Sequence, residues 1–181
     1  DGLPRAGEPL RVAKLAVERY LHAYRFMHGL RSTALRYANV YGPRQNPHGE
    51  AGVVAIFCKA ILEGRPLTVN GDGLQTRDYV YVGDVVRANV AALEAALRPG
   101  AEAGPCILNV GTGIESSVLD VVRELEAAAG RELEVRHGPP RPGEQRRSAL
   151  EAALAREALA RERAVELREG LRLTLEWFRA Q

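Results

Sequence analysis

Apolar runs of strand length alternate with segments of helical period along this chain, and most of the changeovers fall at a glycine-bearing turn. Residues 10–28 carry apolar side chains at Val12, Leu15, Ala16, Leu21, Tyr24 and Met27 and stop at Gly29, which predicts an amphipathic helix closed by glycine. Residues 33–40 form a short, mostly apolar run that ends at Gly42-Pro43, as expected for a strand buried in a sheet. A second helix is predicted over 50–63, closed by Gly64, and a strand over 66–70 leading into the Asp72-Gly73 turn. Residues 77–82 alternate in period two, with Arg77, Tyr79 and Tyr81 on one face and Asp78, Val80 and Val82 on the other. Asp84 reads as the N-cap of an Ala-rich helix that runs to about Leu97. A loop rich in Gly, Pro and Ala (99–105) leads to a strand over 106–110, the turn Gly111-Thr112-Gly113, and a helix capped by Ser116 or Ser117. The next strand is expected over 132–136 and an irregular loop over 138–143. The Arg/Glu-rich stretch 151–169 reads as a solvated helical face, and Trp177 with Phe178 as the anchor of a terminal helix.

Composition limits the function classes. At 181 residues the chain can bury roughly two-thirds or more of its unfolded surface, enough for a core without staples. The 25 Lys and Arg are interspersed with 23 Asp and Glu, leaving a net charge of +2, so neither a nucleic-acid stripe nor a membrane-surface patch is expected. Two cysteines, Cys58 and Cys106, sit far apart in apolar runs, which suits buried thiols and a cytoplasmic setting. No basic segment followed by an apolar one opens the sequence, and no window approaches the ~20 apolar residues that span a bilayer. His22, His28, His48 and His137 show no ligand spacing, so no metal site is expected.

In open α/β sheets ligands collect beyond the carboxyl ends of strands, which gives weight to Asn39 and Tyr41. Five motifs then occur in order: Lys14 with Glu18-Arg19-Tyr20; Arg36-Tyr37-Ala38-Asn39-Val40-Tyr41-Gly42-Pro43; Gly71-Asp72-Gly73 with Arg77-Asp78; Asn109-Val110-Gly111-Thr112-Gly113; and Arg141-Pro142-Gly143-Glu144. Over residues 14–178 the chain resembles the C-terminal part of an extended short-chain dehydrogenase/reductase, most closely the UDP-glucose 4-epimerase-like branch of the NAD-dependent epimerase/dehydratase family. The resemblance implies an α/β fold: part of a Rossmann-type NAD(P)-binding domain with its small α/β substrate-binding domain, and a dinucleotide-binding half upstream. By that reading residues 1–49 are a remnant of the Rossmann-type domain. Residues 50–181 are mainly the nucleotide-sugar-binding domain, with 71–98 returning to the Rossmann sheet.

The family's reaction, as the resemblance implies it, takes hydride from the sugar onto NAD, passes through a 4-keto sugar and returns hydride to the other face. Its base is a tyrosine phenolate in a Tyr-x-x-x-Lys pair, the Lys ammonium and the nicotinamide charge lowering the phenol's pKa. The lysine is Lys14, but Leu10 stands where the tyrosine belongs and Arg11 beside it is cationic, so no local group replaces it. The Gly-rich pyrophosphate loop is also lacking: Gly111-Thr112-Gly113 has no third spaced glycine and reads as a strand-to-helix turn. Lys14 and Tyr37 would, by resemblance, touch the nicotinamide ribose and ring. The chain by itself is expected not to bind NAD and not to turn over a sugar.

The substrate side is fuller. A nucleoside diphosphate sugar brings two negative charges, which guanidinium forks from separate elements meet best. By resemblance Arg77 and Arg141 hold the diphosphate, Asn39 the sugar or phosphate region and Glu144 the ribose hydroxyls, while the backbone from Thr68 to Asn70 borders the uracil. Plainer readings apply elsewhere: Lys14 and Glu18 as an exposed i,i+4 pair, Tyr79 and Tyr81 as packing residues, Arg146 and Arg161 as solvated surface charges. Three roles stay open: part of a UDP-sugar 4-epimerase (or of a 4,6-dehydratase or decarboxylase), a non-catalytic nucleotide-sugar-binding module, or a scaffold that dimerises through the Lys14 helix and the helix over 84–97. The partners expected are a UDP-sugar and either a second copy or a missing N-terminal half.

Overall fold

Three short parallel strand pairings join parts of the chain that are distant in sequence. In the computed structural model, which describes residues 9–48, 52–97, 107–159 and 164–181, the order is α1 (Pro9–His28), β1 (Ala34–Tyr37), β2 (Asn39–Tyr41), α2 (Val53–Leu62), β3 (Leu67–Asn70), β4 (Thr76–Tyr81), α3 (Val82–Leu97), β5 (Ile107–Val110), β6 (Glu115–Ser117), α4 (Val118–Ala129), β7 (Val135–Gly138), α5 (Ala153–Ala158) and α6 (Leu167–Arg179). Strand β1 pairs with β5, β2 with β4 and β3 with β7, all parallel, and β6 adds antiparallel to the start of β4. Parallel pairs bridged by helices make this a mixed α/β fold, as expected.

Local chemistry accounts for the element ends. Helix α1 stops at Gly29, whose φ of 67° ends the helical path and whose N–H donates to the Arg25 carbonyl. Ser117 caps α4 in a reciprocal box: its hydroxyl accepts the Asp120 N–H, while the Asp120 carboxylate accepts the Ser117 N–H.

Several expectations need correction. The strand expected over 33–40 is two strands: Ala38 donates its N–H to the Val110 carbonyl at 2.9 Å, and beyond it β2 leaves β5 and pairs with β4. Strand β4 does not sort its faces into wet and dry, because Asp78, Tyr79 and Val80 are all buried. Asp84 is not an N-cap. Helix α3 starts at Val82, so Asp84 falls in its first turn, 1 % exposed, where its carboxylate accepts the Val165 N–H and pairs with Arg87. Strand β6 was not foreseen, since Glu115-Ser116-Ser117 has no apolar run, and β7 lies at Val135–Gly138 rather than over 132–136 because its register follows β3. The stretch 151–169 is not a solvated helical face: it contains the short helix α5, and Ala152 and Ala155 are buried. The loop over 99–105, Cys106 and Arg161 lie outside the described residues.

Two cores hold these elements. The larger joins α2, β3, α4 and α6 through Phe57, Leu67, Val69, Leu125, Leu171 and Leu175, with Phe178 packed against it. Trp177 meets Phe178 edge to face at 5.0 Å, so Phe178 serves as the expected anchor alongside the more deeply buried Leu171 and Leu175. Cys58 lies within this core as a free thiol, and burial pushes its pKa up to about 12, so it is inert. The smaller core gathers Val80, Val85, Ala88 and Val110 with Leu35, Ala38 and Val40. The described helices include none long and apolar enough to cross a membrane.

Candidate functional site

A cavity of about 570 Å³ lies among β2, α2, β3, β4 and the segment after β7. The six residues expected to hold a nucleotide sugar all line it: Asn39, Thr68, Asn70, Arg77, Arg141 and Glu144. Asn39 is the first residue of β2, Thr68 and Asn70 belong to β3, and Arg77 lies near the start of β4. Arg141 and Glu144 come from the irregular stretch beyond β7, so residues separated by about a hundred positions share one wall. Phe57, Val69 and Tyr79 supply apolar surface.

Arg77 is held in place before any ligand arrives. Its Nη1 donates to the Thr76 and Gln145 carbonyls, each at 2.7 Å, and its Nη2 to Glu144 Oε1 at 3.2 Å. Arg141 makes no ion pair among the described residues and is exposed. The cavity therefore offers one braced guanidinium and one uncommitted guanidinium beside a single carboxylate, a charge pattern suited to an anion next to a hydroxyl-bearing group. Burial, the larger effect, pushes the Tyr79 phenol up to about 12, although Arg77 pulls it the other way, so Tyr79 serves here as neutral packing surface. Gln45 was missed by sequence reasoning. It also lines the cavity, with Nε2 donating to the Val40 carbonyl and Oε1 buried without a partner among the described residues.

The residues expected on the cofactor side are placed elsewhere. Leu10 lies in the first turn of α1, with Lys14 one turn later and exposed, while the Tyr37 hydroxyl donates to Asn89 Oδ1 on α3 at 2.9 Å. Neither Lys14 nor Tyr37 lines the cavity. The expected Lys14–Glu18 pair is replaced by a fork: Arg36 Nε and Nη2 donate to the two Glu18 oxygens, each at 2.7 Å, and hold the Glu18 carboxyl below its ordinary range. A guanidinium in register on β1 is a better-fixed partner than an ammonium on the same helix face.

The turn Gly111-Thr112-Gly113 already holds an anion of its own. Buried Asp78 accepts the Thr112 N–H at 2.9 Å, the Thr112 hydroxyl at 2.6 Å and the Gly113 N–H at 3.0 Å. A Cβ on Gly111 would collide with that carboxylate, which is why glycine stands there. The N–H groups that a pyrophosphate would need are thus taken by a side chain, and this turn is scaffold, as its sequence suggested. Among the described residues this turn is closed to a pyrophosphate, and in the sequence Leu10 supplies no hydroxyl one turn before Lys14. The described residues contain no group of three or more side chains able to hold a metal.

The sequence profile of the NAD dependent epimerase/dehydratase family matches residues 2–111. The chain belongs to this family. Among its relatives, the UDP-glucose 4-epimerase of Mycolicibacterium smegmatis is 46% identical over 171 residues, covering 94% of this chain and 53% of that one. The crystal structure of UDP-glucose 4-epimerase with UDP-glucose from Thermotoga maritima is 46% identical and superposes with a TM-score of 0.83, covering 93% of this chain and 52% of that one. The Thermus thermophilus UDP-glucose 4-epimerase in complex with NAD is 43% identical with a TM-score of 0.82, covering 97% and 55%. The chain spans about half the length of these family members.

Proposed function

We propose that this chain is the nucleotide-sugar-holding part of a UDP-sugar 4-epimerase and that, by itself, it binds the nucleotide sugar without carrying out hydride chemistry. The observation that carries this reading is the convergence of Asn39, Thr68, Asn70, Arg77, Arg141 and Glu144 on one cavity. Arg77 and Arg141 would take the diphosphate, the first pre-organised by Glu144 and two carbonyls, the second free to swing onto the charge. Glu144 would accept from the ribose hydroxyls, Asn39 would meet the sugar or phosphate region, and the β3 backbone at Thr68–Asn70 would border the base. The epimerases that this chain resembles support a UDP-sugar as the ligand. Lys14 and Tyr37, which do not line this cavity, would face a nicotinamide cofactor held by residues other than those described.

Isothermal titration of the chain with UDP-glucose, and separately with NAD, tests the reading. UDP-glucose is expected to bind, with affinity lowered at least about tenfold in both Arg77→Ala and Arg141→Ala, as loss of a charged hydrogen bond implies. NAD is expected to give no heat. Absence of UDP-glucose binding, or binding indifferent to both arginines, would remove the assignment; epimerisation of UDP-glucose by the chain with added NAD would remove the claim of inactivity.

A further inference from the structure

The segment 139–150 supplies Arg141 and Glu144 to the cavity yet contains neither helix nor strand, so no ladder of backbone hydrogen bonds sets its position. Its placement is set instead by individual ties. Arg146 Nη1 and Nη2 donate to the two oxygens of Asp72, in the turn between β3 and β4, at 2.7 and 2.8 Å. Arg147 forks onto Glu115 of β6 at 2.9 and 3.1 Å, and the Thr76 hydroxyl donates to the same carboxylate at 2.6 Å. Between the two forks the Thr76 N–H donates to the Arg146 carbonyl at 2.9 Å. The chain bends at Arg146, and Arg146 and Arg147 grip the β3–β4 turn and β6 from one short stretch. Arg77, the next residue after Thr76, then meets Glu144 and the Gln145 carbonyl.

We propose that Asp72 and Arg146 are positioning residues of the nucleotide cavity, their ionic fork acting with the Arg147–Glu115 clasp to strap the Arg141–Glu144 segment against β4. Neither Asp72 nor Arg146 lines the cavity, so both act through Arg141 and Glu144. Both are about half exposed, 50% and 58% for their side chains, and exposed pairs add little to global stability, which leaves ligand affinity as their measurable effect. With the strap released, binding must also order the segment that carries Arg141 and Glu144, at a cost in affinity.

The inference rests on the reading of the cavity as a nucleotide site, and the test keeps the two apart. The full chain, Asp72→Asn, Arg146→Gln and the charge-swapped Asp72→Arg/Arg146→Asp pair are titrated with UDP, and amide exchange at Thr76 and Glu144 is followed without ligand. Each single variant is expected to bind UDP about threefold to tenfold more weakly with an unchanged melting temperature, and the swapped pair to return to within about twofold of the parent. Parent-like affinity in the singles, or no recovery in the swapped pair, overturns the strap. If the parent chain itself fails to bind UDP, the nucleotide reading fails and exchange decides the strap. Faster exchange at Thr76 and Glu144 in the singles, slowed again in the swapped pair, upholds the fork as the positioning device, and equal exchange in all four proteins overturns it.

Discussion

At the scale of single residues, one carboxylate organises the centre of the sheet. Asp78 is 2% exposed and accepts three hydrogen bonds from Thr112 and Gly113. Asp78→Ala would remove the buried acceptor that those partly exposed donors share, so a loss of about 1–3 kcal/mol is expected in urea unfolding. Gly111→Ala would drive a methyl into the same carboxylate and towards the Ala38 Cβ, and about 1–3 kcal/mol is expected from the overpacking. If both variants unfold with the parent midpoint, the carboxylate is not the organiser. The cavity shows how far sequence reaches at this scale. Asn39, Arg77, Arg141 and Glu144 could be picked out because each sits in a short motif that resembles the family's, and the fold brings all four to one cavity. Gln45 could not, because a glutamine in a loop has no periodic or compositional signature until its oxygen is found buried. Arg146 reads from sequence as a solvated charge, and only the folded turn brings Asp72 within reach of it.

At the scale of elements, most helices and the strands β3, β4 and β5 were readable, while the parting of β1 from β2 and the places of β6 and β7 were not. The boundaries of α1, α2 and α4 follow from glycines and a serine cap, which act within one turn of themselves. Ser117→Ala is expected to cost about 1 kcal/mol, read as a lower melting temperature. The split of the predicted 33–40 strand at Ala38 and the placement of β6 and β7 are decided by partners far along the chain, and nothing within each segment announces them. Helix α6 carries Leu171 and Leu175, both fully buried, and either residue changed to Ala is expected to cost about 2–5 kcal/mol in chemical denaturation. The Arg36–Glu18 fork links β1 to α1 and has a pH signature. Because the folded Glu18 pKa lies below its ordinary 4.5, the fork's stabilisation is fully present above pH 4.5 and is lost as pH falls through the folded value. The stability gap between the parent and Glu18→Gln should therefore be constant above that pH and close below it, and a gap that persists in acid would show that the fork contributes by shape alone.

At the scale of the molecule, two helices present apolar stripes to solvent. Val17, Tyr20, Tyr24 and Met27 follow one another at helical spacing along α1, as do Val86, Val90, Leu93 and Leu97 along α3, each at least half exposed. Patches of this kind drive association. The chain is expected to self-associate at micromolar concentration in sedimentation velocity, and a Val90→Glu/Leu93→Lys variant to run as a smaller species. A parent that stays monomeric at high concentration would remove this expectation. The smaller core around Val80, Val85, Ala88 and Val110 draws on segments from both sides of the domain boundary read from the sequence. We propose that this core is the piece of dinucleotide-type sheet in the chain and that the larger core belongs to the sugar-holding unit.

The amino-acid order by itself determined the α/β alternation, most helix ends and the identity of the cavity's charged groups, because caps, glycine turns and short motifs act over a few residues. Only the tertiary structure decided that β1 and β2 part at Ala38, that Asp78 fills the glycine turn beyond β5, and that Asp72 and Arg146 clasp the segment bearing Arg141 and Glu144. Each of these is a contact between residues at least 34 positions apart, and such contacts exist only once the sheets have closed the intervening chain.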